Sequence, residues 1–290
     1  MPVIDVLGST IHYIDVPGSD PAAPPVVFLH GNPSSSHTWR NVLPAVTGGA
    51  RLLAPDLIGM GGSGKPEIEY SFADHAAYLD AWFDALGLTE VVLVGHDWGG
   101  ALAFDFAARH PGRVKGIAFF EAVLRSTLLS ELAEGPRART ELLRSEKGAE
   151  LALGSNFLIE TAYTKGVLNA LDPETLAPYL APYATPESRR PLLRWARSIP
   201  VDGDPADVQE RLTAFQKWAA GSPEVPKLLL TFDGSPILMI TEQAAAWCAE
   251  NLAGLETEYA GRASHHATED QPAAIGAAIS RWLDRTGLLN

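Results

Sequence analysis

Short, wholly apolar runs alternate along this chain with stretches of helical periodicity. Val26 to Leu29, Leu52 to Ala54 and Val91 to Val94 are wholly apolar, and Val114 to Phe120 is apolar but for Lys115. Such runs predict strands buried on both faces. Between them, Leu79, Trp82, Phe83 and Leu86 recur at i, i+3, i+4 and i+7. That spacing predicts an amphipathic helix over 74–86, stopped by Gly87. Ala101 to Arg109 reads as a second helix, ended by Pro111. Strand alternating with helix implies a parallel sheet covered on both sides. After residue 121 the pattern changes. Residues 122–221 are helical or loop-like, rich in Pro, Arg and Glu, with no convincing strand. Leu228 to Thr231 restores the strand signal, followed by helices over 242–252 and 272–285 and a strand around Glu256 to Tyr259. The expected architecture is an α/β fold with a mostly parallel sheet flanked by helices. Its core comprises 1–121 and 222–290, with 122–221 inserted as a helical cap.

Composition narrows the function classes. The 290 residues include 46% hydrophobic side chains, enough for one sizeable core. A net charge of −13 argues against a nucleic-acid partner, which a basic face would attract. A single cysteine, Cys248, excludes an internal disulfide framework and fits a reducing, cytoplasmic setting. No basic segment followed by a long apolar run marks a secretory signal, and no membrane-spanning stretch is expected.

The chemistry concentrates where an apolar strand meets glycines, at Gly95-His96-Asp97-Trp98-Gly99. A strand, a tight turn and a helix in this spacing form a nucleophile elbow, usually built around serine. Here the central residue is Asp97, and a carboxylate nucleophile suits attack on a saturated carbon or a strained ring. The helix that follows favours an anion at its N-terminus. The competing reading is a simple helix-capping aspartate. A second loop, His30-Gly31-Asn32-Pro33, follows the Val26 to Leu29 strand and sits where such folds place an oxyanion-hole N–H. Late in the chain stand His265 and His266, after the last strand and before the final helix. Chemistry alone does not choose between them. Two carboxylates at strand ends, Glu121 and Asp233, could each orient a histidine.

Together these residues resemble the haloalkane dehalogenases of the α/β-hydrolase superfamily. The segments that carry the likeness are His30-Gly31-Asn32-Pro33 with Trp39-Arg40-Asn41, Pro55-Asp56-Leu57-Ile58-Gly59-Met60-Gly61, Gly95-His96-Asp97-Trp98-Gly99, Arg113-Val114-Lys115-Gly116-Ile117, and Glu269-Asp270 with Pro272. The resemblance implies Asp97 as nucleophile, Asn32 and Trp98 as halide binders, and Glu121 as the acid. It selects His265 as the base, four residues before Glu269. It also implies a small apolar halogenated substrate, water as co-reactant and no cofactor or metal. Two segments depart from the family pattern: Ala263-Ser264-His265-His266-Ala267 and Asp233-Gly234-Ser235-Pro236-Ile237-Leu238.

Phe157, Leu158, Trp195 and Leu238 are the expected pocket wall, with Phe120 a weaker candidate. Gly59 to Lys65 has the spacing of a phosphate loop, but Pro66 stands where Ser or Thr is needed, so it reads as a core turn. The eight histidines match no zinc spacing such as H-E-x-x-H. Three rival readings remain at this stage. An epoxide hydrolase would use cap tyrosines such as Tyr163, Tyr179 or Tyr183. A coelenterazine-oxidising luciferase shares the scaffold. A non-catalytic receptor would bind without turnover.

Overall fold

The computed structural model describes residues 1–132 and 134–289. Its centre is an eight-stranded sheet in the order β1-β2-β4-β3-β5-β6-β7-β8. The strands are β1 (Val3–Val6), β2 (Ser9–Val16), β3 (Val26–Leu29), β4 (Leu52–Pro55), β5 (Val91–His96), β6 (Val114–Phe120), β7 (Lys227–Asp233) and β8 (Leu255–Arg262). From β4 to β8 every pairing is parallel. Every residue of β3, β4 and β5 is buried, as the unbroken apolar runs require. The side-chain period of two sorts them between two cores: Val27, Leu29, Val91 and Leu93 face one, and Val26, Phe28, Val92 and Val94 the other.

The N-terminal hairpin of β1 and β2 went unanticipated. It joins the sheet through antiparallel pairing of β2 with β4. Its signal is present but short: Ile11 and Tyr13 point inward while their neighbours stay partly exposed. Leu7 and Gly8 both have positive φ, the requirement of a two-residue hairpin turn whose twist matches the strands.

Helix α1 (Phe72–Ala85) begins two residues earlier than periodicity predicts. A capping box explains this: Ser71 Oγ accepts from the Asp74 N–H at 3.1 Å, and the Asp74 carboxylate accepts from the Ser71 N–H at 2.8 Å. Helix α2 (Trp98–Arg109) starts directly at the elbow rather than at Ala101.

Between β6 and β7 lie α3 (Glu134–Arg144), α4 (Glu146–Gly154), α5 (Phe157–Lys165), α6 (Pro173–Leu180), α7 (Arg190–Arg197) and α8 (Ala206–Ala220). Among the described residues this insertion holds no strand, only single bridges from Val201 to Thr127 and Asp204. Its last helix behaves differently from the rest. On α8, Phe215 stacks on Phe104 of α2 at 5.6 Å, and Arg211 meets Asp105 of α2 at 3.2 Å. The chain closes with α9 (Glu242–Asn251), α10 (Ala267–Asp270) and α11 (Pro272–Thr286).

The Gly59 to Lys65 segment is a turn around a carboxylate. Asp56 accepts from the Gly62 N–H at 2.8 Å, from the Ser36 N–H at 2.6 Å and from His12 at 2.7 Å. The Lys65 ammonium caps the Gly61 carbonyl at 3.1 Å. No described helix is long and apolar enough to cross a membrane.

Candidate active site

The β5–α2 turn holds Asp97 at φ 53°, ψ −122°. A non-glycine residue in that region is strained, and such strain persists only where the surrounding structure enforces it. Two close approaches do so here. A side chain at Gly99 would strike the Leu29 carbonyl, and one at Gly31 would strike the Asp97 carboxylate itself. The Asp97 side chain does not cap α2. Its Oδ2 instead accepts from the backbone N–H of Asn32 at 2.7 Å, across the sheet edge. The carboxylate is buried, which raises its pKa. His265, the Asn32 and Trp98 backbone N–H groups and Arg139 all pull in the opposite direction.

Asn32 is fixed from the insertion. Its Nδ2 donates to the Leu192 carbonyl of α7 at 3.2 Å, while its Oδ1 is buried without a partner among the described residues. One amide N–H therefore remains uncommitted. Trp98 opens α2, and its ring lies 4.4 Å from that of Trp195 on α7. Trp195 stacks in turn on His75 of α1 at 4.3 Å, and Phe72 meets both indoles edge-on at 6.0 Å. Rings from α1 and α7 thus pack against the Trp98 indole of α2.

Glu121 directly follows β6 at φ 47°, a second strained position, with its side chain only 1% exposed. Its oxygens accept from the backbone N–H groups of Met239 at 2.8 Å and Ile240 at 3.1 Å. They also meet His265 Nδ1 at 3.2 Å. A carboxylate can only accept, so Nδ1 carries the proton and Nε2 presents its lone pair. Burial lowers the His265 pKa, but the Glu121 hydrogen bond and the charges of Asp97 and Glu121 outweigh it, leaving the pKa raised. The other acid lies elsewhere. Asp233 is 63% exposed and faces Arg262 at 3.9 Å on the surface. Of the two strand-end carboxylates, Glu121 is the one that reaches His265.

The structure also separates the adjacent histidines. His266 turns away from Glu121: its backbone N–H donates to Gly166 at 2.8 Å and its ring lies 4.7 Å from Tyr163. Burial, reinforced by the charges of His265, His96 and Arg139, holds its pKa well below the ordinary value. His96 donates from Nε2 to the His265 carbonyl at 2.8 Å, anchoring the loop that carries the base. Ser264, through the Asp270 carboxylate at 2.8 Å, anchors the same loop.

The expected wall residues do not all gather. Leu158 is buried and Phe157 half-buried at the start of α5, in the same apolar cluster as Trp98 and Trp195. Leu238 packs against the cluster on the other face, in the loop that presents Met239 and Ile240 to Glu121. Phe120 belongs to that second cluster too, between Trp39, Phe232 and His96. Two of the three cap tyrosines have committed O–H groups. Tyr163 donates to Ser34 at 3.2 Å, Tyr179 to Glu269, and Tyr183 accepts from Gly61 at 3.3 Å. Sequence reasoning missed the Met239 and Ile240 amides, because a backbone N–H carries no residue signature. It also gave His96 no role beyond its place in the elbow.

The alpha/beta hydrolase fold family matches residues 24–240. A haloalkane dehalogenase of Mesorhizobium japonicum is 42% identical over 99% of this chain and 92% of its own length. One from Bradyrhizobium diazoefficiens is 41% identical over 96% of this chain and 92% of its own. Among solved structures, haloalkane dehalogenase DbeA from Bradyrhizobium elkani aligns with a TM-score of 0.93 at 40% identity, covering 100% of this chain and 99% of that one. DatA from Agrobacterium tumefaciens C58 aligns at 0.91 and 38%, covering 98% and 96%. Each of these relatives matches nearly the whole chain at about 40% identity: the chain belongs to the haloalkane dehalogenases of the alpha/beta hydrolase fold.

Proposed function

We propose that this chain hydrolyses haloalkanes to alcohol and halide through a covalent ester on Asp97. The observation that carries this reading is the elbow carboxylate. It is buried and tied to Asn32 rather than to its own helix, beside a histidine already oriented by a second carboxylate. In the first step an Asp97 oxygen attacks the halogen-bearing carbon, and the carbon–halogen bond breaks with its electron pair going to halide. The halide leaves toward the Trp98 indole N–H and the uncommitted N–H of Asn32. Neutral donors suit a charge that appears only as the bond breaks. In the second step His265 Nε2 takes a proton from water, and the hydroxide attacks the ester carbonyl of Asp97. The Asn32 and Trp98 backbone N–H groups stabilise the oxyanion. Collapse returns the carboxylate and the alcohol, and the proton passes from His265 to solvent.

The partners are a small apolar halogenated substrate, water and halide. Helices α3 to α7 are the lid over the site, with Phe157, Leu158 and Trp195 on its inner side, while α8 stays with the core through α2. Tyr163 and Tyr179 donate their O–H groups to Ser34 and Glu269, and Tyr183 lies against the Gly61 turn, which favours halide release over the epoxide reading. Halide release from bromo-, chloro- and iodoalkanes, run beside epoxides, decides the reaction. Epoxide opening without halide release overturns the reading. In single-turnover hydrolysis in ¹⁸O water, label must enter the Asp97 carboxylate. Its absence there removes the covalent route.

Two further outcomes are expected. Trp98→Phe removes one halide donor and keeps the ring against Trp195. It should lower the rate of halide formation on the order of 10²-fold, by analogy with loss of one oxyanion donor. Pre-steady-state halide release measures this, and an unchanged first step moves the halide elsewhere. The second concerns pH. His265 must be neutral to act, and its pKa is raised, so turnover climbs with pH as that raised pKa is passed. Glu121→Gln removes a charge that raises it. The acid limb of kcat should then move to lower pH, while the plateau falls by about 10²–10⁴-fold. A kcat–pH profile with an unmoved acid limb would rule out Glu121 as the partner of the base.

A further inference from the structure

The adjacent imidazoles of His265 and His266 meet that of His96, 169 residues away from His265 in the chain, beside the elbow. One ring nitrogen from each of His96, His265 and His266 lies within 4.8 Å of the others. Their ring centroids are 5.0 Å apart for His96 and His265, 4.9 Å for His265 and His266, and 5.7 Å for His96 and His266. Three imidazoles bound tetrahedrally to one zinc at about 2.0–2.1 Å separate their nitrogens by about 3.4 Å and their ring centres by about 5 Å. Two of the three ring spacings match and the third is wider, so binding requires side-chain rotation to draw the nitrogens together.

The lone pairs are available as well. His96 Nε2 must hold its proton, because it faces the His265 carbonyl, so Nδ1 is bare. That Nδ1 is buried and has no hydrogen-bond partner among the described residues, and the same is true of His266 Nδ1. His265 presents Nε2, with Glu121 behind it on Nδ1. A carboxylate behind a ligating histidine is the usual support of a metal site, fixing the ring and raising its basicity. The nearby Asp97 and Glu121 carboxylates offset a divalent charge, with the Arg139 guanidinium acting against them.

We propose that His96, His265 and His266 form a binding site for a borderline-soft divalent transition metal ion, Zn²⁺ above all, and that an ion bound there withholds His265 from catalysis. Binding needs no redox partner, since three neutral imidazoles donate lone pairs. The effect on turnover rests on the reading of His265 as the base; the site itself does not. Halide formation does not use His265, so the metal-loaded enzyme should still release close to one halide per chain and then stop at the ester.

The test uses the full chain after dialysis against EDTA, titrated with Zn²⁺, and with Co²⁺ as a coloured probe. The expected result is one Co²⁺ per chain with the visible absorption of a nitrogen-ligated, four- or five-coordinate ion, displaced by Zn²⁺. Zn²⁺ should lower steady-state halide release at least tenfold, leave the first-turnover burst, and be reversed by EDTA. His266→Phe, outside the proposed catalytic set, should keep basal turnover and raise the Zn²⁺ concentration for half-inhibition at least tenfold. Should that variant fold poorly, the Co²⁺ spectrum of the unaltered chain still decides. No Co²⁺ or Zn²⁺ binding up to millimolar concentration overturns the proposal, as does inhibition identical in His266→Phe. Stoichiometric binding with unimpaired turnover upholds the site and instead removes His265 as the base.

Discussion

Asp97→Asn is expected to abolish steady-state halide release, with a loss on the order of 10⁴-fold or more, as for removal of a nucleophile in other covalent hydrolases. Asparagine is the informative replacement. It tolerates the left-handed φ of 53° better than most side chains, and its carbonyl oxygen can still accept from the Asn32 N–H at the same place. What it lacks is the charge that displaces halide. The fold should survive and could gain stability, because burial disfavours this carboxylate and the turn is strained for any side chain. Halide release from a bromoalkane, with a melting curve on the same sample, measures both. A folded variant that retains near-native turnover would place the nucleophile elsewhere.

Replacing His265 should separate the two chemical steps. In His265→Gln the first displacement proceeds, since Asp97, Trp98 and Asn32 are intact. Water activation is lost, and general-base catalysis contributes about 10²–10⁴-fold. Mixing with excess bromoalkane should therefore give a burst near one halide per chain, followed by a steady rate lower by about that factor. Intact-protein mass spectrometry should show the alkyl group retained on Asp97. Loss of the burst together with the steady rate would mean that His265 is needed for alkylation as well. The side-chain amide can still donate toward Glu121, which limits the cost of leaving that buried carboxylate without its partner.

How far the sequence reaches depends on the range of the forces involved. Strands β3 to β6 were legible because burial on both faces demands apolar residues at nearly every position, and that demand is written locally. The β1–β2 hairpin was not, because its evidence is two inward residues, Ile11 and Tyr13, and a turn at Leu7-Gly8 that lacks the usual Asn or Asp. The start of α1 was misplaced because Ser71 and Asp74 form a reciprocal cap that periodicity does not register. The expected cap divides in its contacts, since Arg211 and Phe215 tie α8 to α2. Leu238 was grouped with the pocket wall from its loop alone, and it packs on the opposite face.

The elbow could be read from the sequence alone because its requirements are steric and local: a strand, glycines where the backbone closes in, and a carboxylate at the turn. Membership of the family followed from several such local segments occurring in order. Apart from what the family resemblance implied, only the tertiary structure shows which acid meets which histidine. Glu121 and Asp233 both stand at the ends of apolar strands, and the choice depends on a 3.2 Å contact between residues 144 apart in the chain. The same is true of His265 and His266. Adjacent in sequence, they diverge because one is drawn to Glu121 while the other packs against Tyr163 and His96. Hydrogen bonds and metal bonds act over a few ångströms, and only the folded chain brings distant side chains that close.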